Sequence, residues 1–206
     1  MKKLLGGRLV VVCTLICALS AIADAQAQRV LLIAREGSEN LQLMLSKELV
    51  VMRSMIEEAG IRVSVASSSG QELRSGSLTV QPDLKLSDVD PSEYQGVIVA
   101  CMAAGIPGTI PPEAVSTVRY LFDKGFPVAA QNGAVAILGA AGILTGKSYA
   151  MERAYVKDGR YAGTGVVADG KVFTSGTCPF MASTSRPDGT RELTAKFIQA
   201  VLDSGL

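Results

Sequence analysis

The chain has 206 residues, of which 48% are hydrophobic, and its formal net charge is +1. A nearly neutral chain without a basic run does not attract nucleic acid, so we expect no nucleic-acid partner. The chain has no histidine, which excludes Ser–His and Cys–His relays and imidazole metal ligands. Any catalysis therefore depends on carboxylates, lysines, hydroxyls, thiols and backbone amides, and we expect no metal and no cofactor.

The first 27 residues have the pattern of a secretory signal peptide. The basic start MKKLLGGR precedes the apolar run LVVVCTLICALSAIA, and ADAQAQ then offers small-residue cleavage sites. The apolar run is shorter than the ~20 residues of a membrane-spanning helix, although a retained anchor is the alternative. We therefore expect an exported protein, periplasmic or secreted, with no membrane attachment after cleavage. Residues 28–206 then form a single domain with a formal net charge of −1.

The remaining chain alternates between strand and helix patterns. Continuous apolar runs predict buried strands, and these are RVLLIA (29–34), IRVSVASS (61–68), GVIVACM (96–102) and PVAAQ (127–131), with a shorter strand near Leu78–Val80. Apolar residues at helical spacing predict helices at LMLSKELVVMRSMIEEAG (43–60), PPEAVSTVRYLFDKG (111–125), GAVAILGAAG (133–142) and RELTAKFIQAVLDSG (191–205). Asp158-Gly159 and Asp169-Gly170 predict tight turns. The alternation predicts an α/β fold with a mainly parallel sheet and helices on both faces.

Ligands of such sheets bind beyond the carboxyl ends of the strands. Three strand ends are therefore of interest, at 34–39, 100–104 and 131–133. The last contains Asn132, at a sharp turn between a strand and a helix of small residues. Asn tolerates left-handed backbone better than most residues other than Gly. A purely turn-forming role and a ligand-contacting role for Asn132 both remain open.

The segment FPVAAQNGAVAILGAAGILTGK (126–147) resembles the nucleophile elbow of the PfpI-type intracellular protease and parkinsonism-associated deglycase family. RVLLIA, EEAGIRVSVAS, EYQGVIVACM and VVADGKVFTSG match further landmarks of that family in the same order. The resemblance covers nearly all of the chain after the signal peptide. It implies the fold of class I glutamine amidotransferases, a flavodoxin-like α/β sandwich.

The resemblance also shows where this chain departs from the family. The nucleophilic Cys of the family falls on Asn132, and the neighbouring His position falls on Gly133. The Pro-Gly-Gly that supplies an oxyanion amide falls on Ala100, Cys101 and Met102. An Asn amide does not attack carbonyl groups readily. Backbone amides survive such replacements, so we expect an anion-binding notch near Met102 and Gly133.

The family places a Glu beside its nucleophile. Counting back from EEAGIRVSVAS puts this Glu on Glu48, whereas counting forward from RVLLIA points to Gln42. We favour Glu48 and expect it to accept hydrogen bonds from the NH₂ group of Asn132, as a satisfied buried pair. The alternative for Glu48 is a solvated charge on the face of a helix.

Two cysteines remain after cleavage, Cys101 and Cys178, and the resemblance brings both towards the same pocket. Cys101 is a candidate nucleophile, but no histidine is present to activate it. An exported protein can form a disulfide between them, for which the loop of about 77 residues predicts a stabilisation of about 4 kcal/mol. The geometric window for a disulfide is narrow, with Cα atoms roughly 4.4–6.8 Å apart. We therefore favour two separate buried thiols and keep the disulfide as the alternative.

Two hypotheses about function follow. In the first, the protein has lost the cysteine-dependent catalysis of the family and keeps a small-molecule-binding or structural role, with a homo-oligomer as one form of the latter. In the second, it is an active hydrolase, lyase or amidotransferase-like enzyme that uses Glu48 or Cys101 together with backbone donors. The candidate site comprises six residues: Glu48, Cys101, Met102, Asn132, Gly133 and Cys178.

Overall fold

The computed structural model describes residues 28–34, 36, 40–101, 110–151, 156 and 158–205. The proposed signal peptide, residues 1–27, and the candidate site residue Met102 lie outside the described residues. The expectations for both remain predictions.

The main sheet has seven strands in the order β10-β11-β7-β6-β1-β2-β5. Its strands are β1 (Arg29–Ile33), β2 (Arg62–Ser67), β5 (Leu84–Lys85), β6 (Val97–Val99), β7 (Val128–Gln131), β10 (Val166–Asp169) and β11 (Val172–Ser175). All neighbouring pairs are parallel except β10 and β11, which form an antiparallel hairpin. Two small sheets pair β3 (Leu73–Ser75) with β4 (Leu78–Val80) and β8 (Ser148–Tyr149) with β9 (Arg160–Tyr161). The mainly parallel sheet expected from the sequence is confirmed.

Helices cover both faces of the sheet. They are α1 (Leu41–Met44), α2 (Val50–Glu58), α3 (Pro112–Asp123), α4 (Val135–Ala140) and α5 (Thr190–Asp203). Alternate residues of β1 belong to two separate cores, with Leu31 and Ile33 on the side of α3 and α4. Val30 and Leu32 lie on the opposite side, with α2 and α5. This two-sided burial explains why the strands have continuous apolar runs instead of alternating ones. The flavodoxin-like α/β sandwich is confirmed.

The first predicted helix contains a π-helical segment. Leu45–Leu49 connects α1 to α2 without a break, so the helical stretch spans residues 41–58. A π turn closes i→i+5 hydrogen bonds and therefore shifts the faces that the following residues present. Leu45, Glu48 and Leu49 are all buried in this segment. The carboxylate of Glu48 therefore points into the protein from a π turn. The apolar spacing of the sequence predicted a regular α-helix through this position.

The two predicted tight turns have different outcomes for strand pairing. Gly170 has a φ of +62° and closes the β10–β11 hairpin, as its Asp-Gly pair predicts. Asp158 also has a positive φ, of +70°. However, the strand after it, β9, pairs in parallel with β8 and does not form a hairpin.

Within the described residues, no helix combines the length and apolar character that crossing a bilayer requires.

Candidate functional site

The corner after β7 forms the centre of the candidate site. β7 ends at Gln131, and a 3₁₀ turn over Asn132–Ala134 leads directly into α4. Asn132 has a φ of +46°, in the left-handed region. This conformation costs roughly 1–2 kcal/mol for an L-residue with a Cβ, and Asn is among the residues that adopt it most readily. The strained turn predicted from the sequence is therefore present.

Three hydrogen-bond contacts fix the side-chain amide of Asn132. Its Nδ2 donates to the carbonyl oxygen of Gly176 at 2.7 Å. Its Oδ1 accepts from the backbone N–H of Gly133 at 2.8 Å, and the Cys101 Sγ lies 3.8 Å from the same oxygen. Cys101 follows β6 and Gly176 follows β11, so the amide links the strand ends on either side of β7. The Asn132 side chain therefore holds the backbone of the corner in place through these hydrogen bonds.

Glu48 is fully buried, so the alternative of a solvated helix-face charge is wrong. Its Oε1 accepts a hydrogen bond from the backbone N–H of Cys101 at 2.8 Å. No bond joins Glu48 to the Asn132 NH₂ group, which corrects that prediction. The NH₂ group donates instead to the carbonyl oxygen of Gly176, which the loop after β11 supplies. Gln42 is exposed, and its side chain lies against Gly76, away from this corner.

The backbone amides at the corner are already engaged. The N–H of Gly133 donates to Asn132 Oδ1, and the N–H of Cys101 donates to Glu48 Oε1. The anion-binding notch expected at Gly133 and Met102 stays a prediction, and an anion bound at Gly133 would have to displace the Asn132 acceptor. An Asn side chain commonly bonds a nearby backbone N–H, and this local bond competes with any external acceptor. Met102, the other half of the expected notch, lies outside the described residues.

Cys101 and Cys178 are both free thiols, the first partly exposed and the second buried. Interaction with the Cys101 side chain, together with the backbone amides of Met181 and Phe180, outweighs burial and lowers the pKa of Cys178 to about 7. Interaction with Cys178, burial and the negative charge of Glu48 raise the pKa of Cys101 far above its usual range. The thiols are unbridged, as favoured, although Cys101 is not fully buried.

Two residues that the sequence did not single out help to build the site. Gln131 is fully buried, and its Nε2 donates to Thr177 O and Thr190 Oγ1, both at 3.0 Å. It thereby ties the loop after β11 to the start of α5. A Cβ at Gly176 would lie 2.8 Å from the Cα of Thr164, so the close approach requires glycine. In the sequence, the only indication of a role for Gln131 is that a polar residue ends the otherwise apolar strand PVAAQ.

The sequence profile of the DJ-1/PfpI family matches residues 28–197. The chain belongs to the DJ-1/PfpI family. A deglycase from Thermococcus kodakarensis is 32% identical over 127 residues, which cover 58% of this chain and 69% of that protein.

Solved structures agree with this DJ-1/PfpI fold. The ThiJ/PfpI domain protein from Brachyspira murdochii has a TM-score of 0.63 at 17% identity, covering 87% of this chain and 97% of that one. DJ-1beta from Drosophila melanogaster has a TM-score of 0.58 at 22% identity, covering 86% and 97%. At these identities the likeness shows the fold alone.

In the described part of this DJ-1/PfpI chain, no three Cys, Asp or Glu residues lie together as metal ligands.

The strain and the hydrogen bonds of Asn132 can be measured separately. Asn132→Gly removes the side-chain hydrogen bonds but relieves the positive φ, whereas Asn132→Ala removes the same bonds and keeps the strain. We expect N132A to have a free energy of unfolding about 1 kcal/mol lower than that of N132G. Urea unfolding of both variants measures the difference. Equal stabilities would show that the corner does not impose the left-handed conformation.

Proposed function

We propose that this DJ-1/PfpI protein lacks the elbow-cysteine catalysis of its relatives and uses the corner as a small-molecule-binding pocket. The observation that carries the proposal is the Asn132 amide, with Nδ2 bonded to Gly176 O and Oδ1 bonded to the N–H of Gly133. The family resemblance assigns the nucleophile to this position. Neither atom of an amide is an effective nucleophile, and here both are engaged in structural bonds.

The surroundings of Asn132 also argue against the catalysis of the family. Acyl-transfer chemistry needs backbone donors aimed at a developing oxyanion. The nearest described donors, the amides of Gly133 and Cys101, point at Asn132 Oδ1 and Glu48 Oε1 instead. An incoming carbonyl oxygen would have to displace one of these acceptors. Apart from the second hydrogen of the Asn132 NH₂ group, the described part of the corner therefore offers hydrogen-bond acceptors more readily than donors.

The hydrogen-bonding groups at the corner indicate which class of ligand it can bind. Asn132, Gly133 and Cys101 are each partly exposed, so a small molecule can reach them. A carboxylate would find the two amides occupied and a buried carboxylate, Glu48, behind Cys101. An uncharged ligand with N–H or O–H groups can donate to Asn132 Oδ1 in place of the weak donor there, the Cys101 thiol. We therefore propose an uncharged, hydrogen-bond-donating ligand.

A second candidate is catalysis by Cys101. Its thiol lies 3.8 Å from Asn132 Oδ1, beside the corner, and the residue is partly exposed. The raised pKa of Cys101 makes its thiolate scarce at neutral pH, which weighs against this candidate.

Activity assays separate the two candidates. We expect wild-type protein to show only background turnover in peptidase, deglycase and glyoxalase assays, because residue 132 provides no nucleophile. The matched control is Cys101→Ser, which we expect to be indistinguishable from wild type. Turnover by wild type that disappears in C101S would contradict the proposal and establish Cys101 as the nucleophile.

A thermal-shift comparison of matched compounds tests the binding part of the same proposal. Acetamide and acetate have nearly the same size, but only acetamide is neutral and carries N–H donors. Binding to the native state raises the Tm by mass action. We expect small amides to raise the Tm and the matching carboxylates to leave it unchanged. A larger shift with carboxylates would overturn the assigned ligand class.

Export is also part of the proposal, on the strength of the basic start, the apolar run and the ADAQAQ cleavage sites. Mass spectrometry of protein produced by its own export route is expected to find an N-terminus at Gln26 or Gln28. Intact Met1 on most molecules would contradict it. A homo-oligomeric state remains a prediction.

A further inference from the structure

The chain contains two asparagines, Asn40 and Asn132, and different residues follow them. Asparagine is chemically labile, because the backbone nitrogen of the next residue can attack its side-chain carbonyl carbon. Leu41 follows Asn40, and its side chain obstructs this approach. Gly133 follows Asn132 and has no side chain, so the approach is open and the backbone is free to make it. The sequence therefore singles out Asn132 as the asparagine that its own backbone can modify.

At the corner, the attacking atom already lies against its target. The Gly133 nitrogen is 2.8 Å from Asn132 Oδ1, to which its N–H donates a hydrogen bond. A C=O bond is about 1.23 Å long, so this nitrogen is at most about 4.0 Å from Cγ, the carbonyl carbon. When that N–H loses its proton, the electron pair left on nitrogen points in the same direction, towards the side-chain carbonyl. Positioning of this kind accelerates an intramolecular reaction relative to the same reaction between separate molecules.

Water has access to the same place, because Asn132 and Gly133 are both partly exposed. We propose that Asn132 is a self-modification site, at which the Gly133 nitrogen displaces the side-chain NH₂ group as ammonia and water converts residue 132 into aspartate or isoaspartate. The contact between nitrogen and side-chain carbonyl, the absence of a side chain at position 133 and the access of water carry the inference. The conversion needs no partner other than water, and it does not depend on the ligand proposed above.

The first step closes a ring. Hydroxide removes the proton of the Gly133 N–H, and the nitrogen forms a bond to Asn132 Cγ. The Cγ–Nδ2 bond breaks, and the departing NH₂ group takes a proton from water and leaves as ammonia. Residues 132 and 133 then share a succinimide ring. The step is slow, because the N–H is engaged by Oδ1 and must first become accessible to hydroxide.

In the second step, water opens the ring. Breaking the bond between Cγ and the Gly133 nitrogen gives aspartate in an ordinary backbone. Breaking the bond between the backbone carbonyl carbon of residue 132 and the same nitrogen gives isoaspartate, whose chain runs through Cβ and Cγ. In both cases one water is consumed and one ammonia is released, and no atom is oxidised or reduced.

The conversion removes one hydrogen bond of the corner. Asn132 Nδ2 donates to Gly176 O at 2.7 Å, whereas an ionised aspartate has only acceptor oxygens. Two acceptors would then face each other at this place. The bond between residue 132 and the loop after β11 is therefore lost, and we expect the converted protein to be less stable than the original.

Timed incubation of the purified full chain tests the proposal. Samples are kept in mildly acidic and mildly alkaline buffers, digested with trypsin and mapped by mass spectrometry, and digestion in heavy-oxygen water marks conversions that occur during handling. Asn40 and Asn132 fall on separate tryptic peptides. We expect conversion at Asn132 with a matching release of ammonia, and none at Asn40 over the same period. Conversion is expected to be faster in the alkaline buffer, because hydroxide starts the reaction.

Two variants and an unfolded control complete the test. Gly133→Ala places a Cβ beside the attacking nitrogen and is expected to convert about tenfold more slowly. Asn132→Asp is the reference for the product, and we expect its Tm to lie several degrees below that of wild type and to match that of converted wild type. Wild type in urea gives the rate without the folded corner. If native wild type stays unconverted while the urea sample converts at Asn132, or if Asn40 converts as fast as Asn132, the proposal is overturned, whether or not the variants fold.

Discussion

The hydrogen bonds of one side-chain amide, that of Asn132, organise the corner on which the candidate site depends. The amide joins the loop after β6 to the loop after β11, across the end of β7 that lies between them. Each neutral hydrogen bond contributes about 1 kcal/mol, and the left-handed backbone costs about the same. The bonds to Gly176 and Gly133 can therefore offset the strain of the turn. Because Asn132 bonds on both sides, its conformation and the positions of the two loops are coupled.

The hydrogen bonds made by Asn132 and Glu48 limit which backbone donors a ligand can reach at the corner. With Asn132 Oδ1 on the amide of Gly133 and Glu48 Oε1 on the amide of Cys101, acceptors inside the protein occupy the donors that an oxyanion would need. The corner keeps the backbone shape that the DJ-1/PfpI resemblance predicts. In the proposed function, the corner accepts hydrogen bonds where the resemblance implies donors. The proposal therefore retains the family scaffold and gives residue 132 a structural role in place of the reactive one that the resemblance assigns to this position.

The sequence predicted the fold more fully than the site, for identifiable reasons. β1, β6 and β7 were recognisable because burial on both faces demands continuous apolar runs, and this is a local property. The π turn at Leu45–Leu49 left no local signal, so the burial of Glu48 against the amide of Cys101 could not be derived from helical spacing. The contacts of Asn132 with Cys101 and Gly176 depend on how two loops converge, which is a tertiary property. Asn132 was assigned to the corner correctly, but the partner of its NH₂ group was not.

Hydrogen exchange at the two corner amides tests the central claim most directly, because it measures the donors themselves. Exchange rates for the backbone N–H groups of Gly133 and Cys101 can be obtained by NMR on labelled protein. If Asn132 and Glu48 hold these amides, both will exchange far more slowly than an unprotected chain, and their exchange will require opening of the corner. Exchange of either amide at the unprotected rate would show that its donor is open to ligand, and would contradict the account of an acceptor-lined corner.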